Sequence, residues 1–264
     1  MLSTPGCANT RLAACKSLTM SMIIGHRGSR HLWPENTLEG FGQLVNSGVE
    51  GVEFDVHLTA DDQVIVIHDA TLERTTHSSG PVRTRTLSEL QSLRLRDSVE
   101  GLPSLEQVLE VFQNSALELH IELKTDSTGQ PYPGLEAQVI GTIAQFGLQQ
   151  RSVLTSFNHE VLQKVRHLDS SARVLRSVDH STLAQAGGFK QAMIQLEALP
   201  DLLVAVEQSL LKETLQQFSA RFGADRLGVW VVNHDADLRY WFRQHLRQIT
   251  TDRVDLALQS RART

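Results

Sequence analysis

The sequence predicts an α/β fold, a (β/α)8 (TIM) barrel, in which eight parallel strands alternate with helices. Short apolar or alternating runs typical of strands recur along the 264 residues, with amphipathic segments between most of them. One of these runs follows its neighbour too closely for a parallel crossover, and without it eight strands remain that can all run parallel. The length also suits a single barrel domain.

The strand candidates are spread over the whole chain from residue 22. They are Met22–Gly25, Val52–Thr59, Val64–His68, Leu117–Lys124, Ser152–Ser156, Arg173–Ser177, Leu203–Glu207, Gly228–Asn233 and Gln248–Thr251. Capping-box spacing predicts helix starts between them, at Asn36 with Glu39, Thr86 with Glu89 and Ser104 with Gln107. Gly48 and Gly147 follow amphipathic runs and suit helix ends.

The second and third strands are separated only by Ala60–Gln63. A parallel crossover needs about a dozen residues, so these strands are expected to form an antiparallel hairpin. The hairpin would fold His68 back beside Asp55. The polar segment Thr75–Arg85, with its Gly and Pro, indicates a small insertion after His68, at about residues 70–103.

The composition excludes several classes of protein. The net charge is −5 without a basic block, which argues against nucleic acid as a partner. No run approaches the ~18 consecutive apolar residues of a membrane span. Both cysteines, Cys7 and Cys15, precede the first strand, which fits a reducing cytoplasm. We expect residues 1–21 to be a disordered tail and residues 22–264 to be one domain; the sequence does not determine an oligomeric state.

Two carboxylates share one face of the second strand. Residues two apart in a strand point the same way, so Glu53 and Asp55 point together, and Val52, Phe54 and Val56 form the apolar face. A solvent-facing edge would explain the carboxylates, but the apolar flanks favour a central strand. Carboxylates crowded in a buried setting are usually paired or bound to a metal.

The strand Leu117–Lys124 repeats this pattern, with His120, Glu122 and Lys124 on one face. Glu122 could supply a third carboxylate, and Lys124 could contact a phosphate oxygen. A structural Glu–Lys pair explains this strand equally well when it is taken alone. The active site of such barrels lies at the carboxyl ends of the strands, and three carboxylates there suit Mg²⁺ or Ca²⁺. No cysteine lies nearby for a thiolate site.

Two histidines each end an apolar run at the same end of the barrel. His26 follows the first strand and precedes Arg27, and His68 ends the hairpin. A single histidine in such a position is more often structural than catalytic. Two of them next to a carboxylate cluster suggest general acid–base chemistry, because imidazoles titrate near neutrality. A cation and Arg27 would neutralise charge on a phosphoryl group.

Taken together, these motifs resemble the glycerophosphodiester phosphodiesterase family. The matching segments are His26-Arg27-Gly28, Pro34-Glu35-Asn36-Thr37, Glu53-Phe54-Asp55-Val56, Val66-Ile67-His68-Asp69, Leu72-Glu73-Arg74-Thr75, Ile121-Glu122-Leu123-Lys124, Ser156-Phe157, Trp230-Val231-Val232-Asn233 and Thr251-Asp252. Each is weak alone, but they occur in the order typical of the family across nearly the whole chain.

The resemblance implies a (β/α)8 barrel that releases sn-glycerol 3-phosphate and an alcohol from small glycerophosphodiesters, like cytoplasmic bacterial members of the family. It implies His26 and His68 as the acid–base pair, and Glu53, Asp55 and Glu122 as ligands of a divalent cation, Mg²⁺ or Ca²⁺.

The resemblance also assigns the residues around the cation. Arg27 and Lys124 would contact the phosphate, and Glu35 would support the metal, the glycerol or Arg27. The sequence departs from the family at Asp62, where a glycine is usual in the hairpin turn. It also lacks the usual glycine before the last strand, in the segment 245–248.

Other activities are open on the same scaffold. A 2-hydroxyl of glycerol could attack phosphorus, as in a cyclising phospholipase-like lyase. Lysophospholipase D activity would need an apolar rim, to which Leu32, Trp33, Trp230 and Trp241 could contribute; Trp230 could equally be a stacking floor for glycerol. A non-catalytic phosphodiester-binding protein is the remotest alternative, because both histidines and all three carboxylates are present.

Overall fold

The computed structural model describes residues 20–264. Its strands are β1 (Met22–His26), β2 (Gly51–Leu58), β3 (Val64–Val66), β4 (Glu118–Leu123), β5 (Ser152–Ser156), β6 (Arg173–Val178), β7 (Leu203–Glu207), β8 (Leu227–Trp230) and β9 (Gln248–Thr251). Eight of them pair in parallel in the order β1-β2-β4-β5-β6-β7-β8-β9, and β1 pairs with both β2 and β9. The sheet is therefore closed, and the predicted eight-stranded TIM barrel is confirmed.

Helices follow the strands and cover the barrel. They are α1 (Leu38–Val45), α2 (Leu87–Gln91), α3 (Leu105–Phe112), α4 (Leu135–Gln145), α5 (His159–Leu168), α6 (His180–Gln185), α7 (Phe189–Glu197), α8 (Gln208–Phe222), α9 (Asp235–Phe242) and α10 (Val254–Arg261). Short 3-10 turns occupy Val82–Thr84, Gln149–Arg151 and Ala224–Arg226. Within residues 20–264, every helix lacks the length or the apolar character that a membrane span needs.

The helix starts agree with the sequence at two of three positions. Thr86 and Ser104 form capping boxes at the starts of α2 and α3. The predicted cap at Asn36 is wrong: Thr37 caps α1, and its hydroxyl accepts a hydrogen bond from the Gly40 amide. Asn36 has a positive φ of 56° instead, a conformation that asparagine tolerates better than most residues.

The main core lies between the barrel and its helices. Phe41, Phe54 and Phe112 meet there with ring centroids 5.5–6.4 Å apart and no exposed surface. Each such side chain contributes about 2–3 kcal/mol by its burial. Phe54 comes from β2, so packing of its apolar face fixes the opposite direction for Glu53 and Asp55.

The predicted hairpin is also present. β3 runs antiparallel to β2, and Asp62 in the turn adopts the left-handed φ of 56° that its place in the turn requires. His245, in the segment without the usual glycine, likewise has a positive φ of 51°. The Ile67 amide donates to the Asp55 carbonyl at 3.1 Å, so the chain runs back from the turn to the level of Asp55. This contact brings His68 to the carboxyl end of the barrel.

A second, smaller core lies under the segment that follows His68. It is formed by Ile65, Ile67, Leu72, Val82, Leu90, Leu95 and Leu102. This core holds the predicted insertion against the hairpin. The predicted tail, residues 1–21, lies outside the described residues except for Met20, which is exposed, and Ser21, which is buried.

Candidate active site

Three carboxylates converge at the carboxyl end of the barrel. Asp55 and Glu122 are register partners on β2 and β4, and Glu53 lies one step below on the same inward face. One oxygen from each lies within 4.8 Å of the others, and all three residues are at least 92% buried. The Oε1 atom of Glu53 is buried without a hydrogen-bond partner in the described part of the chain. An unpaired buried carboxylate oxygen and an all-oxygen donor set fit a hard divalent cation.

The electrostatics of this cluster are unbalanced. Burial, and then repulsion from Asp55 and Glu122, raises the pKa of Glu53 well above its usual value. Burial would also raise the pKa of Asp55, but the charges of Lys124 and Arg27 outweigh it and hold that pKa below its usual range. A bound cation would therefore stabilise the ionised form of Glu53 more than that of Asp55.

The two predicted phosphate-binding cations lie against this cluster. The Lys124 ammonium is 2.7 Å from Glu122 Oε1 and 3.5 Å from Asp55 Oδ1. The Arg27 Nε atom is 3.5 Å from Asp55 Oδ2, and its Nη1 donates to Glu35 at 3.2 Å. Glu35 therefore contacts Arg27 directly, which is one of its three expected roles.

His26 lies on one side of the cluster. Its Nδ1 is 2.6 Å from Asp252 Oδ1, and its Nε2 is 3.8 Å from Glu53 Oε2. Asp252 is itself held by Asn233, whose amide nitrogen donates to it at 2.7 Å, and by Arg30 at 2.8 Å. Burial lowers the pKa of His26, and the hydrogen bond to Asp252 opposes only part of that shift. The ring is therefore neutral at pH 7, with Nε2 directed to the carboxylates.

His68 lies on the other side and is more exposed. Its Nδ1 is 2.5 Å from Asp69 Oδ1. Arg74, from the insertion, donates to Asp69 at 2.6 Å and to Glu35 at 2.7 Å, so it joins His68 to the residues around Arg27. Burial lowers the pKa of His68, although the charge of Asp55 raises it.

A cavity of about 270 Å³ connects these groups, and His26, Arg27, His68 and the three carboxylates line it. Trp230 lines the same cavity; its indole donates to the Ala205 carbonyl at 3.0 Å, and its ring packs edge-on against Phe157. This position agrees with a floor for a small substrate. Trp241 is fully buried, so it cannot belong to an apolar rim.

Lys124 and Glu35 do not line this cavity; Lys124 lines the larger cavity next to it. His120 shares a strand face with Glu122, but its Nε2 pairs with Glu118 at 2.8 Å, at the amino end of β4. It therefore lies outside the carboxylate cluster.

Several site residues have no role in the prediction from sequence. Asn36 donates to Asp55 at 3.1 Å, and Asp252, Asp69 and Arg74 hold the two histidines. Asp252 directly follows the last strand, at the end of the barrel where active sites form, and that position could have identified it.

Comparison with known proteins points to one family. A sequence model described as the glycerophosphoryl diester phosphodiesterase family matches residues 26–256. A glycerophosphodiester phosphodiesterase of Caldanaerobacter subterraneus is 34% identical over 154 residues, 56% of this chain and 63% of the relative. One from Bacillus altitudinis is 39% identical over 147 residues, 53% of this chain and 59% of the relative. These alignments thus span about three fifths of the relatives' length.

Solved structures show the same fold. A phosphodiesterase of Oleispira antarctica, in complex with the product sn-glycerol-3-phosphate, superposes with a TM-score of 0.78 over 93% of this chain and 98% of its own, at 24% identity. A glycerophosphodiester phosphodiesterase of Agrobacterium tumefaciens gives a TM-score of 0.71 at 23% identity, over 91% of this chain and 100% of its own. At these identities, the likeness establishes the barrel.

Proposed function

The chain belongs to the glycerophosphoryl diester phosphodiesterase family, and on that premise we propose that it hydrolyses glycerophosphodiesters to sn-glycerol 3-phosphate and an alcohol. The observation that carries the proposal is the placement of His26 and His68 on one cavity, either side of three carboxylates. Hydrolysis of a phosphodiester needs one group to take a proton from water and another to give a proton to the leaving oxygen. Two imidazoles on one cavity can fill both roles.

The two histidines share the same kind of hydrogen-bond partner. Each has its Nδ1 held by an aspartate, at 2.6 Å for His26 and 2.5 Å for His68. The aspartate fixes the ring and leaves Nε2 available to the substrate. With the pKa of both rings lowered by burial, one neutral ring can accept the proton of water. The other must arrive protonated to donate to the alcohol.

We propose that Glu53, Asp55 and Glu122 hold a divalent cation, Mg²⁺ or Ca²⁺. When bound, the cation would neutralise charge on the phosphoryl group and polarise its oxygens. Arg27 and Lys124, already drawn to the cluster, would turn from their carboxylates to the phosphate, and Glu35 would keep Arg27 in place. Trp230 would pack against the glycerol.

The test is release of glycerol 3-phosphate from glycerophosphocholine by the purified protein. Activity should require Mg²⁺ or Ca²⁺ and stop with EDTA. His26→Ala and His68→Ala should each lower kcat by about 10²-fold or more, whereas His167→Ala, on the exposed side of α5, should leave it unchanged. Near-normal activity in either active-site variant would refute the mechanism. Accumulation of cyclic glycerophosphate would indicate a lyase instead.

We also propose that the protein acts in the cytoplasm, like the bacterial members it resembles. The support is the absence of cysteine from residues 16–264, which fits a reducing compartment. Fractionation of the source cells with an antibody against the protein tests this, and recovery outside the cytoplasm would refute it.

A further inference from the structure

Arg176 is a buried cation beside the active site that the proposed function does not use. Its strand neighbours Leu175 and Ser177 line the cavity inside the barrel, so Arg176 points outward, into the layer between the sheet and the helices. It is only 8% exposed.

The guanidinium of Arg176 lacks the partners that such a group normally has. Within residues 20–264, it makes no side-chain hydrogen bond and no ion pair, and its Nη1 is buried without a partner. Arg27, buried to the same extent, is paired with both Glu35 and Asp55. A buried charge without a partner is costly.

The charge of Arg176 persists despite its burial. Burial lowers the pKa of Arg176 to about 10, so the group stays protonated at neutral pH. Asp179 raises that pKa only partly, and its carboxylate already accepts the Thr182 amide at 2.7 Å as the cap of α6. The structure thus holds a fixed positive charge whose hydrogen-bonding fork is free.

Arg176 faces a cavity of about 700 Å³ bounded by the start of α5, by α6 and α7, and by the segment that follows β4. Its polar walls include the amides of Gln163 and Gln185 and the ring of His159, whose Nδ1 is buried without a partner in the described residues. Burial, and then the charge of Arg176, lowers the pKa of His159, so this ring is neutral and can donate one hydrogen bond. A cation with neutral donors around it suits an oxyanion.

Two acidic residues border this cavity, and neither neutralises Arg176. Glu122 is paired with Lys124 at 2.7 Å, and Glu160 is exposed on α5. Glu122 and Phe157 line this cavity and also the smaller one that holds the histidines. The two cavities therefore adjoin at the carboxylate cluster.

We propose that the cavity at Arg176 is a second oxyanion site, which binds a phosphate or carboxylate group next to the catalytic cavity. The bound group has two sources. It is either a negative group on the alcohol half of the substrate, which rests on the proposed function, or a free small oxyanion such as inorganic phosphate.

The first experiment measures the melting temperature of the protein in EDTA while inorganic phosphate is added, because without a cation the three carboxylates repel phosphate from the catalytic cavity. Binding at ten times the Kd should raise the Tm by roughly 3–6 °C. Arg176→Met should melt no lower than the wild type without phosphate, because it removes an unpaired buried charge, and it should lose most of the response. Arg173→Met, on the same strand but paired with Glu118 at 2.6 Å, should keep the full response.

Arg176→Lys provides a second variant, which keeps the charge but not the planar fork. Its response to phosphate should be weaker than that of the wild type and stronger than that of Arg176→Met. A full response in Arg176→Met, equal to that of the wild type, would overturn the proposal. This measurement does not depend on catalysis, so it decides the site even if no glycerophosphodiester is hydrolysed.

The second experiment separates the two sources with a matched pair of substrates. Glycerophosphoserine and glycerophosphoethanolamine differ by one carboxylate on the alcohol half. If that half occupies the site, Arg176→Met should raise KM about tenfold for the serine diester alone, since a charge-assisted hydrogen bond is lost. If free anions occupy it, both KM values should stay at the wild-type level while the phosphate response is lost.

Discussion

Replacing Glu53 with Gln should stabilise the protein without a cation and destabilise it, relative to the wild type, with one. Glu53 lies within 4.8 Å of Asp55 and Glu122, and its pKa is raised well above the usual value by burial and by their charges. The ionised form of such a group is less favourable in the folded protein than in the unfolded chain, so its charge lowers the free energy of unfolding at pH 7. A glutamine keeps the size of the side chain and the acceptor oxygen that takes the Arg27 amide at 3.2 Å.

The magnitude follows from the separation of the charges. At the largest separation in the cluster, 4.8 Å, and an effective dielectric constant of about 20, each pair of carboxylates repels by at least about 3 kcal/mol. Glu53→Gln removes two of the three pairs, but it also removes the attraction of Glu53 to Arg27 and Lys124. We expect a net rise of about 2 kcal/mol in the free energy of unfolding, or a Tm higher by about 4–8 °C.

A cation should reverse this order. At 100 times its Kd, it should stabilise the wild type by about 2.7 kcal/mol, whereas the variant, with one ligand fewer, should gain little. Differential scanning calorimetry with EDTA and with Mg²⁺ measures both effects. Glu118→Gln is the matched control: Glu118 pairs with Arg173 and Arg247 at 2.6 Å at the other end of the barrel, so its loss should lower the Tm equally in both conditions. The reasoning fails if apo Glu53→Gln melts no higher than the apo wild type.

Three further predictions concern the groups that hold the site. Asp252→Asn should lower kcat by about 10²-fold or more. It should also move the limb of the rate profile that His26 sets to lower pH, because the carboxylate that raises the pKa of His26 is gone. An unchanged pH profile would contradict this. Arg74→Met should lower kcat about tenfold, because it frees the Asp69 carboxylate beside His68. It should lower the free energy of unfolding in urea by under about 1 kcal/mol, since the Arg74 side chain is 45% exposed. A loss of stability without a loss of kcat would show that the role of Arg74 is only structural. Burial lowers the pKa of His57 to about 4, so its contribution to stability is complete above pH 6.5 and is lost as the pH falls from about 6.5 to about 4. Tyr132→Phe should lower the free energy of unfolding at pH 7 by ~1 kcal/mol, because it leaves Nδ1 of this ring unpaired. Equal unfolding free energies of variant and wild type would refute that.

The local geometry of the site could be predicted because strands alternate. The period of two placed Glu53 and Asp55 on one face and the apolar residues of β2 on the other, and the structure agrees. The short turn before β3 likewise determined the hairpin and the end of the barrel at which His68 lies. These conclusions depend on neighbours in sequence, where spacing alone restricts the backbone.

Other features could not be predicted because they join distant residues. Asp252 and His26 are 226 positions apart and meet only because β9 closes on β1. Arg74 reaches Glu35 across 39 positions through the packing of the insertion. Arg176 stands among the apolar residues of β6 in the sequence, and only the helices packed against that strand show that its charge is buried without a partner within residues 20–264.

Short-range spacing and ordered motifs were therefore enough to predict the barrel, the family resemblance and the set of carboxylates and histidines. The folded structure was needed to see which aspartate holds which histidine, how burial shifts each pKa, and where a charge is left unpaired. Desolvation and ion pairing depend on all the neighbours in space, and closure of the barrel brings those neighbours together from opposite ends of the chain.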